Sequence, residues 1–127
     1  MKQWFDQKNA PEQGHVLCRS NEIEIGSVKE FEFGESIKTR FRMFVYRSEN
    51  DVLAYLNSCP HFQVPLNIHT GKLFSSDRTQ FQCCQHYAKF DKITGICTDG
   101  PCEGRSLTKI PIIETNEEIF ISEDHTC

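Results

Sequence analysis

Residues 83–91 read Cys-Cys-Gln-His-Tyr-Ala-Lys-Phe-Asp, and this stretch decides the fold of the chain. Cys83 and His86 stand three positions apart, a spacing that a tight turn closes so that both side chains face the same way. Two short strands are predicted around this turn, between Phe81 and Phe90. The stretch therefore predicts a hairpin whose connecting loop presents one thiol and one imidazole.

A second pair of ligand-type residues lies upstream, in Cys59-Pro60-His61, directly after a predicted strand over Val52–Leu56. In an extended segment the side chains of residues i and i+2 point to the same face. Cys59 and His61 can therefore face one metal centre, and 21 residues separate this pair from the next. Two such loops from neighbouring hairpins would bring four ligands together.

Two sulfur and two imidazole ligands suit either zinc or an iron–sulfur cluster. A structural zinc site more often begins with two cysteines spaced two to four residues apart. Here each loop supplies one Cys and one His, which suits a binuclear cluster that takes one ligand per iron from each loop. The spacing favours iron–sulfur and leaves a zinc site open.

The rest of the chain predicts an all-β domain with many short strands. Polar and apolar residues alternate with a period of two in Glu30–Phe33, and the turn residues Ser48–Asp51 separate two longer runs. Besides the ligand hairpin, the predicted strands are Glu30–Phe33, Arg40–Arg47, Asp51–Asn57, Ser106–Glu114 and Glu117–Ser122. Pro111 predicts an edge strand. Only Ser27–Glu30 and Leu66–Leu73 leave room for a turn of helix.

Composition excludes several classes of function. The 127 residues are 38% hydrophobic and 25% charged, which is typical of a folded domain. A net charge of −4 argues against binding to a nucleic acid backbone. No apolar run approaches the ~20 residues of a membrane span. The first residues contain no apolar segment, so a cytoplasmic protein is expected. We expect residues 1–14 to be a flexible lead-in, 15–122 the domain and 123–127 a tail.

The number of cysteines also favours a cytoplasmic location. Seven is an odd number, so a complete set of disulfides within one chain is impossible. In a reducing cytosol thiols stay free and more often bind metal or react. Outside the ligand pairs we expect Cys18 to be a core thiol, Cys84 a thiol without a role and Cys127 an exposed terminal thiol. Cys97 and Cys102 are expected to be two buried thiols near the metal centre, and a disulfide between them is the alternative.

Several motifs in this order resemble those of Rieske 2Fe-2S proteins. Pro65-Leu66 follows the first ligand pair as in C-P-H-x-x-x-P-L, and residues 83–91 resemble C-x-x-H-G-A-x-F-D. Residues 95–104 are similar to G-x-C-x-x-G-P-C-x-G. The resemblance spans Val16–Ser122. It is to the small, soluble, ferredoxin-like type, such as the ferredoxin components of ring-hydroxylating dioxygenases and the small subunits of nitrite reductases.

This resemblance implies a fold, a cofactor and its ligands. The fold is an antiparallel β-sandwich or small barrel with a cluster-binding subdomain. One 2Fe-2S cluster is bound by Cys59, His61, Cys83 and His86, and a third loop at Gly100-Pro101 covers it. The Cys-bound iron is inner and the His-bound iron lies near the surface, so the imidazoles are where the electron leaves.

The function that the resemblance implies is electron transfer, and not catalysis by the chain itself. The protein would pass single electrons from a reductase to a terminal oxygenase or similar oxidoreductase. The alternatives are a permanently bound small subunit of a larger oxidoreductase and a zinc-stabilised interaction module. A complete Rieske oxygenase needs a further mononuclear iron site, for which the chain is too short, and no dinucleotide-binding glycine loop is present. The acidic stretch Glu114–Glu118 could meet a basic partner.

Three positions differ from related proteins, one from the family pattern quoted above and two from its respiratory members. Tyr87 stands where glycine is usual, and such glycines often allow a positive φ angle. Ala88 and Phe90 stand where respiratory Rieske proteins have a Ser and a Tyr that donate hydrogen bonds to the cluster sulfurs. Without these donors the reduced state loses stabilisation. The sequence therefore predicts a reduction potential at the low end of the Rieske range, near roughly −150 mV.

Overall fold

The computed structural model describes residues 9–34, 40–60, 65–67, 73–83, 87–100 and 103–122. Across these ranges the secondary structure is ten short β-strands and a single turn of 3₁₀ helix, Ser20–Glu22. This confirms the all-β prediction. The strands are β1 Val16–Arg19, β2 Val28–Phe33, β3 Phe41–Arg47, β4 Val52–Leu56, β5 Gln80–Gln82, β6 Lys89–Asp91, β7 Cys97–Asp99, β8 Lys109–Ile110, β9 Ile112–Thr115 and β10 Glu118–Ile121.

The strands form three sheets, with the orders β1-β10-β9, β2-β3-β4-β8 and β5-β6-β7. By contacts the chain divides into two compact units. The first consists of residues 1–54 and 110–127, and the second of residues 55–109. Both described cysteines of the predicted ligand set, Cys59 and Cys83, belong to the second unit.

The first unit contains the longest strand pairing. β2 and β3 pair antiparallel over six residues, from Val28 opposite Tyr46 to Phe33 opposite Phe41. The turn predicted at Ser48–Asp51 ends β3, where the Ser48 amide donates to the Asp51 carbonyl at 2.9 Å. Three consecutive β3 residues are fully buried: Met43, Phe44 and Val45. Their burial supplies this unit with a hydrophobic core of its own.

Two local predictions were wrong. Ser106–Glu114 is not one strand, because Pro111 lies between β8 and β9, which belong to different sheets. A proline has no N–H for a ladder hydrogen bond, so the pairing stops there. The turn of 3₁₀ helix at Ser20–Glu22 lies outside the two places where a helical turn was expected, and Ser27–Glu30 is not helical, because β2 begins at Val28 and pairs with β3. The second candidate helix overlaps residues outside the described ranges, as do much of the predicted lead-in and the whole tail, so these stay predictions.

Candidate metal centre

The first ligand loop follows β4 and is closed at its base by two asparagines. The Asn57 Nδ2 donates to Asn67 Oδ1 at 2.8 Å, and the Leu66 amide donates to Asn57 Oδ1 at 2.7 Å. Both asparagines are buried, so these bonds satisfy groups that would otherwise be costly to bury. Within the loop Cys59 is 3% exposed, and its predicted partner His61 lies outside the described residues.

The second ligand loop connects β5 to β6, as predicted. These strands pair antiparallel, and two backbone hydrogen bonds close the connection. The Cys83 amide donates to the Ala88 carbonyl at 2.8 Å, and the Tyr87 amide donates to the Cys83 carbonyl at 2.9 Å. Cys83 is 1% exposed. His86 lies outside the described residues, so its approach to Cys83 stays a prediction.

Tyr87 provides the left-handed backbone that the family pattern assigns to glycine. Its φ angle is +59°, in the region that residues with a side chain seldom adopt. Its side chain is 68% exposed. The predicted reason for glycine at this position, a positive φ, is therefore present even though the residue is tyrosine.

A third loop follows β7 and contacts both ligand loops. A Cβ placed on Gly100 would lie 2.8 Å from the Ala88 Cα, so only glycine fits against the second loop. On the other side, the Arg105 Nη1 donates to the Pro60 carbonyl at 3.2 Å. Pro60 stands between Cys59 and His61 in the first loop. The backbone of Arg105 is fixed in turn, since its carbonyl accepts a 2.7 Å hydrogen bond from the Cys97 amide.

Aromatic side chains pack against each other on the strands that lead into the two ligand loops. The rings of Tyr55 and Phe81 meet edge to face with centroids 5.8 Å apart, a favourable geometry for aromatic pairs. The Tyr55 hydroxyl donates towards the carbonyls of Lys92 and Ile93, each at 2.9 Å. Phe81 lies opposite Phe90 across the β5–β6 pair, and both are fully buried. The strands that carry the second loop are therefore anchored in a core.

The turn that enters β5 is held by a charged carboxylate. Asp77 accepts hydrogen bonds from the Ser75 hydroxyl at 2.8 Å and from the amide and hydroxyl of Thr79 at 3.1 and 2.8 Å. These bonds, the Ser75 bond first, lower the pKa of Asp77 to about 2. Asp77 is therefore ionised at neutral pH and keeps the turn in place.

Two of the remaining cysteines are buried, as predicted. Cys18 is buried in the first unit, and this burial raises the pKa of its thiol. Cys97 is also buried, and its Sγ donates to the Asp99 carbonyl at 3.3 Å. The other three lie outside the described residues: Cys84, Cys102 and Cys127.

The described part of the site fits an iron–sulfur cluster. Cys59 and Cys83 are both buried in one unit, at the positions where the two loops begin. Thiolates are the ligands that iron–sulfur clusters require. The described ranges contain no group of three or more His, Cys, Asp or Glu residues suited to a metal ion, but both predicted histidines fall outside those ranges.

Comparison with known families identifies the class of protein. The family model of the Rieske [2Fe-2S] domain matches residues 13–115, which is most of the chain. The chain therefore belongs to the Rieske [2Fe-2S] domain family, and the predicted 2Fe-2S cofactor is confirmed. No curated protein sequence matched the chain.

Solved structures of low sequence identity have the same fold. The ferredoxin of carbazole 1,9a-dioxygenase from Nocardioides aromaticivorans IC177 has a TM-score of 0.64 and 19% identity, covering 89% of this chain and 100% of that one. A chain in the complex of reduced oxygenase and oxidized ferredoxin in carbazole 1,9a-dioxygenase has a TM-score of 0.67 and 16% identity, covering 92% and 99%. These matches confirm the predicted Rieske-type fold.

A longer chain also contains this fold. In the reduced complex between oxygenase and ferredoxin in carbazole 1,9a-dioxygenase, a chain matches with a TM-score of 0.67 and 19% identity. The match covers 86% of this chain and 28% of that one.

No helix in the described ranges has the length and apolar character to cross a membrane.

Sequence reasoning missed the contacts that hold the loops together. Arg105 and Pro60 are 45 positions apart, and no local pattern links them. Asn57 and Asn67 flank the first ligand pair, but asparagine near a loop is common, so burial alone distinguishes them. The resemblance places Gly100 in a covering loop, but no local sequence pattern predicts its close approach to Ala88.

Proposed function

We propose that this protein is an electron carrier, which passes single electrons from a reductase to a terminal oxygenase or a similar oxidoreductase. The observation that carries the proposal is the burial of Cys59 and Cys83 at the start of two loops in one unit of a Rieske-family chain. Each cysteine stands within three residues of a histidine. The chain performs no chemistry on an organic substrate in this proposal.

The proposed ligands are Cys59, His61, Cys83 and His86. The oxidised 2Fe-2S core carries two positive charges, and two thiolates with two neutral imidazoles bring the centre to zero. Four thiolates would leave it doubly negative, so the mixed ligand set makes the centre easier to reduce. Reduction adds one electron and one negative charge.

The proposed partners are redox proteins. Several structurally similar chains come from complexes of an oxygenase with a ferredoxin, which supports a protein partner for this chain. The proposed compartment is the cytoplasm. Its support is the odd number of cysteines, of which two are assigned as thiolate ligands.

The experiment that tests the proposal compares two adjacent cysteines. The purified protein should be red-brown, with broad visible bands and two iron atoms per chain. Cys83→Ala should lose the colour and the iron, and it should also lose stability because cluster binding and folding are coupled. Cys84→Ala is the matched control and should keep both. A colourless protein that contains zinc would refute the proposal, and iron retention in Cys83→Ala would refute the ligand assignment.

A further inference from the structure

The two units of the chain differ in the sign of their charge. Residues 1–54 and 110–127 contain 8 basic and 14 acidic residues, a net charge of −6. Residues 55–109 contain 6 basic and 4 acidic residues, a net charge of +2. The whole chain carries −4, so the unit with the ligand loops is positive within a negative protein.

Arg105 of the second unit differs from three arginines of the first unit in how its charge is neutralised. In the first unit three arginines form ion pairs with glutamates: Arg40 with Glu32, Arg42 with Glu30 and Glu32, and Arg47 with Glu114. Arg105 of the second unit has no carboxylate within ion-pair distance among the described residues. Its guanidinium is instead held on the Pro60 carbonyl at 3.2 Å.

This contact places a fixed positive charge at the first ligand loop. Arg105 is exposed, and the contact uses only one of the five N–H donors of a guanidinium. A guanidinium held in this way has donors left for a carboxylate from another molecule, which it can bind in a two-pronged geometry.

We propose that the surface around Arg105 and Pro60 docks onto an acidic face of the protein that accepts the electron. The proposal rests on the proposed function, since docking must bring the partner to the ligand loops. Opposite charges steer such encounters and set their register. The acidic stretch Glu114–Glu118 belongs to the other unit. Two exposed acidic residues, Asp99 at the end of β7 and Glu103 in the third loop, oppose the positive field of Arg105, so the experiment must measure the sign of the net local charge.

The experiment uses small oxidants as probes, so that no partner is needed. Reduced holoprotein is mixed in a stopped-flow instrument with tris(oxalato)cobaltate(III), an anion, or hexaamminecobalt(III), a cation. Ionic strength is varied from about 0.01 to 0.5 M, which changes the screening length several-fold. We expect the rate constant with the anion to rise as salt is lowered, and that with the cation to fall, although the protein is negative overall.

Two variants that each remove one positive charge complete the design. Arg105→Gln should lower the rate with the anion by at least about threefold at low salt and leave the rate at high salt unchanged. Lys29→Gln, in the first unit, should behave as the wild type. A changed reduction potential would shift the rates with both oxidants in the same direction, whereas a lost docking charge shifts them in opposite directions.

The outcomes separate this proposal from the proposed function. A rate with the anion that falls as salt is lowered, or an Arg105→Gln protein that behaves as Lys29→Gln does, overturns the docking surface and leaves the electron carrier intact. A protein without cluster absorbance, or one that cannot be reduced, overturns the proposed function before any oxidant is added.

Discussion

Tyr87 adopts a left-handed conformation that glycine would adopt without strain. A non-glycine residue there costs of order 1–3 kcal/mol, but glycine raises the entropy of the unfolded chain. The two effects oppose each other, so Tyr87→Gly should keep its cluster and raise the free energy of unfolding by no more than about 2.5 kcal/mol. Tyr87→Val should be less stable than Tyr87→Gly by about 1–2 kcal/mol, because a β-branched residue fits this conformation poorly. Denaturant unfolding of the holoproteins measures the free energy of unfolding of both variants. Equal stabilities of Tyr87→Gly and Tyr87→Val would contradict this explanation.

Ala88 and Phe90 should keep the reduction potential low, because neither side chain can donate a hydrogen bond to the cluster sulfurs. Ala88 is 1% exposed and Phe90 is fully buried, so water does not replace the missing donors at these side chains. The wild type should have a midpoint near roughly −150 mV. Ala88→Ser and Phe90→Tyr should each raise it if the new hydroxyls reach the cluster sulfurs.

Protein-film voltammetry measures these potentials. Phe90→Leu is the control, since it alters packing without adding a donor and should not raise the midpoint. A wild-type midpoint above about +100 mV would show that other groups supply the hydrogen bonds.

Among the elements, the third loop depends on the close contact between Gly100 and Ala88. A comparison of alanine substitutions at Gly100 and at Gly104 isolates the contribution of this contact. Gly100 has a φ of +106° and Gly104 a φ of +91°, so alanine is strained at either position. Only at Gly100 would the added Cβ clash, 2.8 Å from the Ala88 Cα, whereas nothing lies within 4 Å at Gly104. Gly100→Ala should therefore be less stable than Gly104→Ala by about 1–3 kcal/mol and lose its cluster faster. Visible absorbance during thermal unfolding follows both, and identical loss rates would exclude the contact.

Elements formed by neighbouring residues could be predicted from the sequence, and contacts between distant residues could not. The hairpin around residues 83–88 is local, because its turn and both strands lie within twelve positions. The Ser27–Glu30 prediction failed because pairing with β3, which no short window contains, decides the structure there. The Arg105–Pro60 contact could not be predicted for the same reason, because 45 positions separate the two residues. The ligand set thus stays a prediction from the sequence, and the contacts that hold the ligand loops could not be predicted from it.

At the scale of the whole molecule, the two units differ in what stabilises them. The first has a six-residue β2–β3 ladder and fully buried β3 side chains, and the predicted ligands are all outside it. In the second, the sheet β5-β6-β7 consists of three-residue strands; the second ligand loop connects β5 to β6, and the third loop follows β7. Binding energy from the cluster should therefore stabilise the second unit in particular, since metal binding contributes directly to folding.

Removal of the cluster tests this difference. Hydrogen exchange of holoprotein and of apoprotein, prepared with an iron chelator under anaerobic reducing conditions, should show lost protection over residues 80–99. Protection over β2 and β3 should persist, because local opening follows the stability of each segment rather than a single global value. Equal loss of protection in both regions would mean that the chain unfolds as one cooperative unit without its cluster. In that case the ladder and core of the first unit would be too weak to persist without iron, and the large buried side chains of β3 would contribute to stability only in the holoprotein.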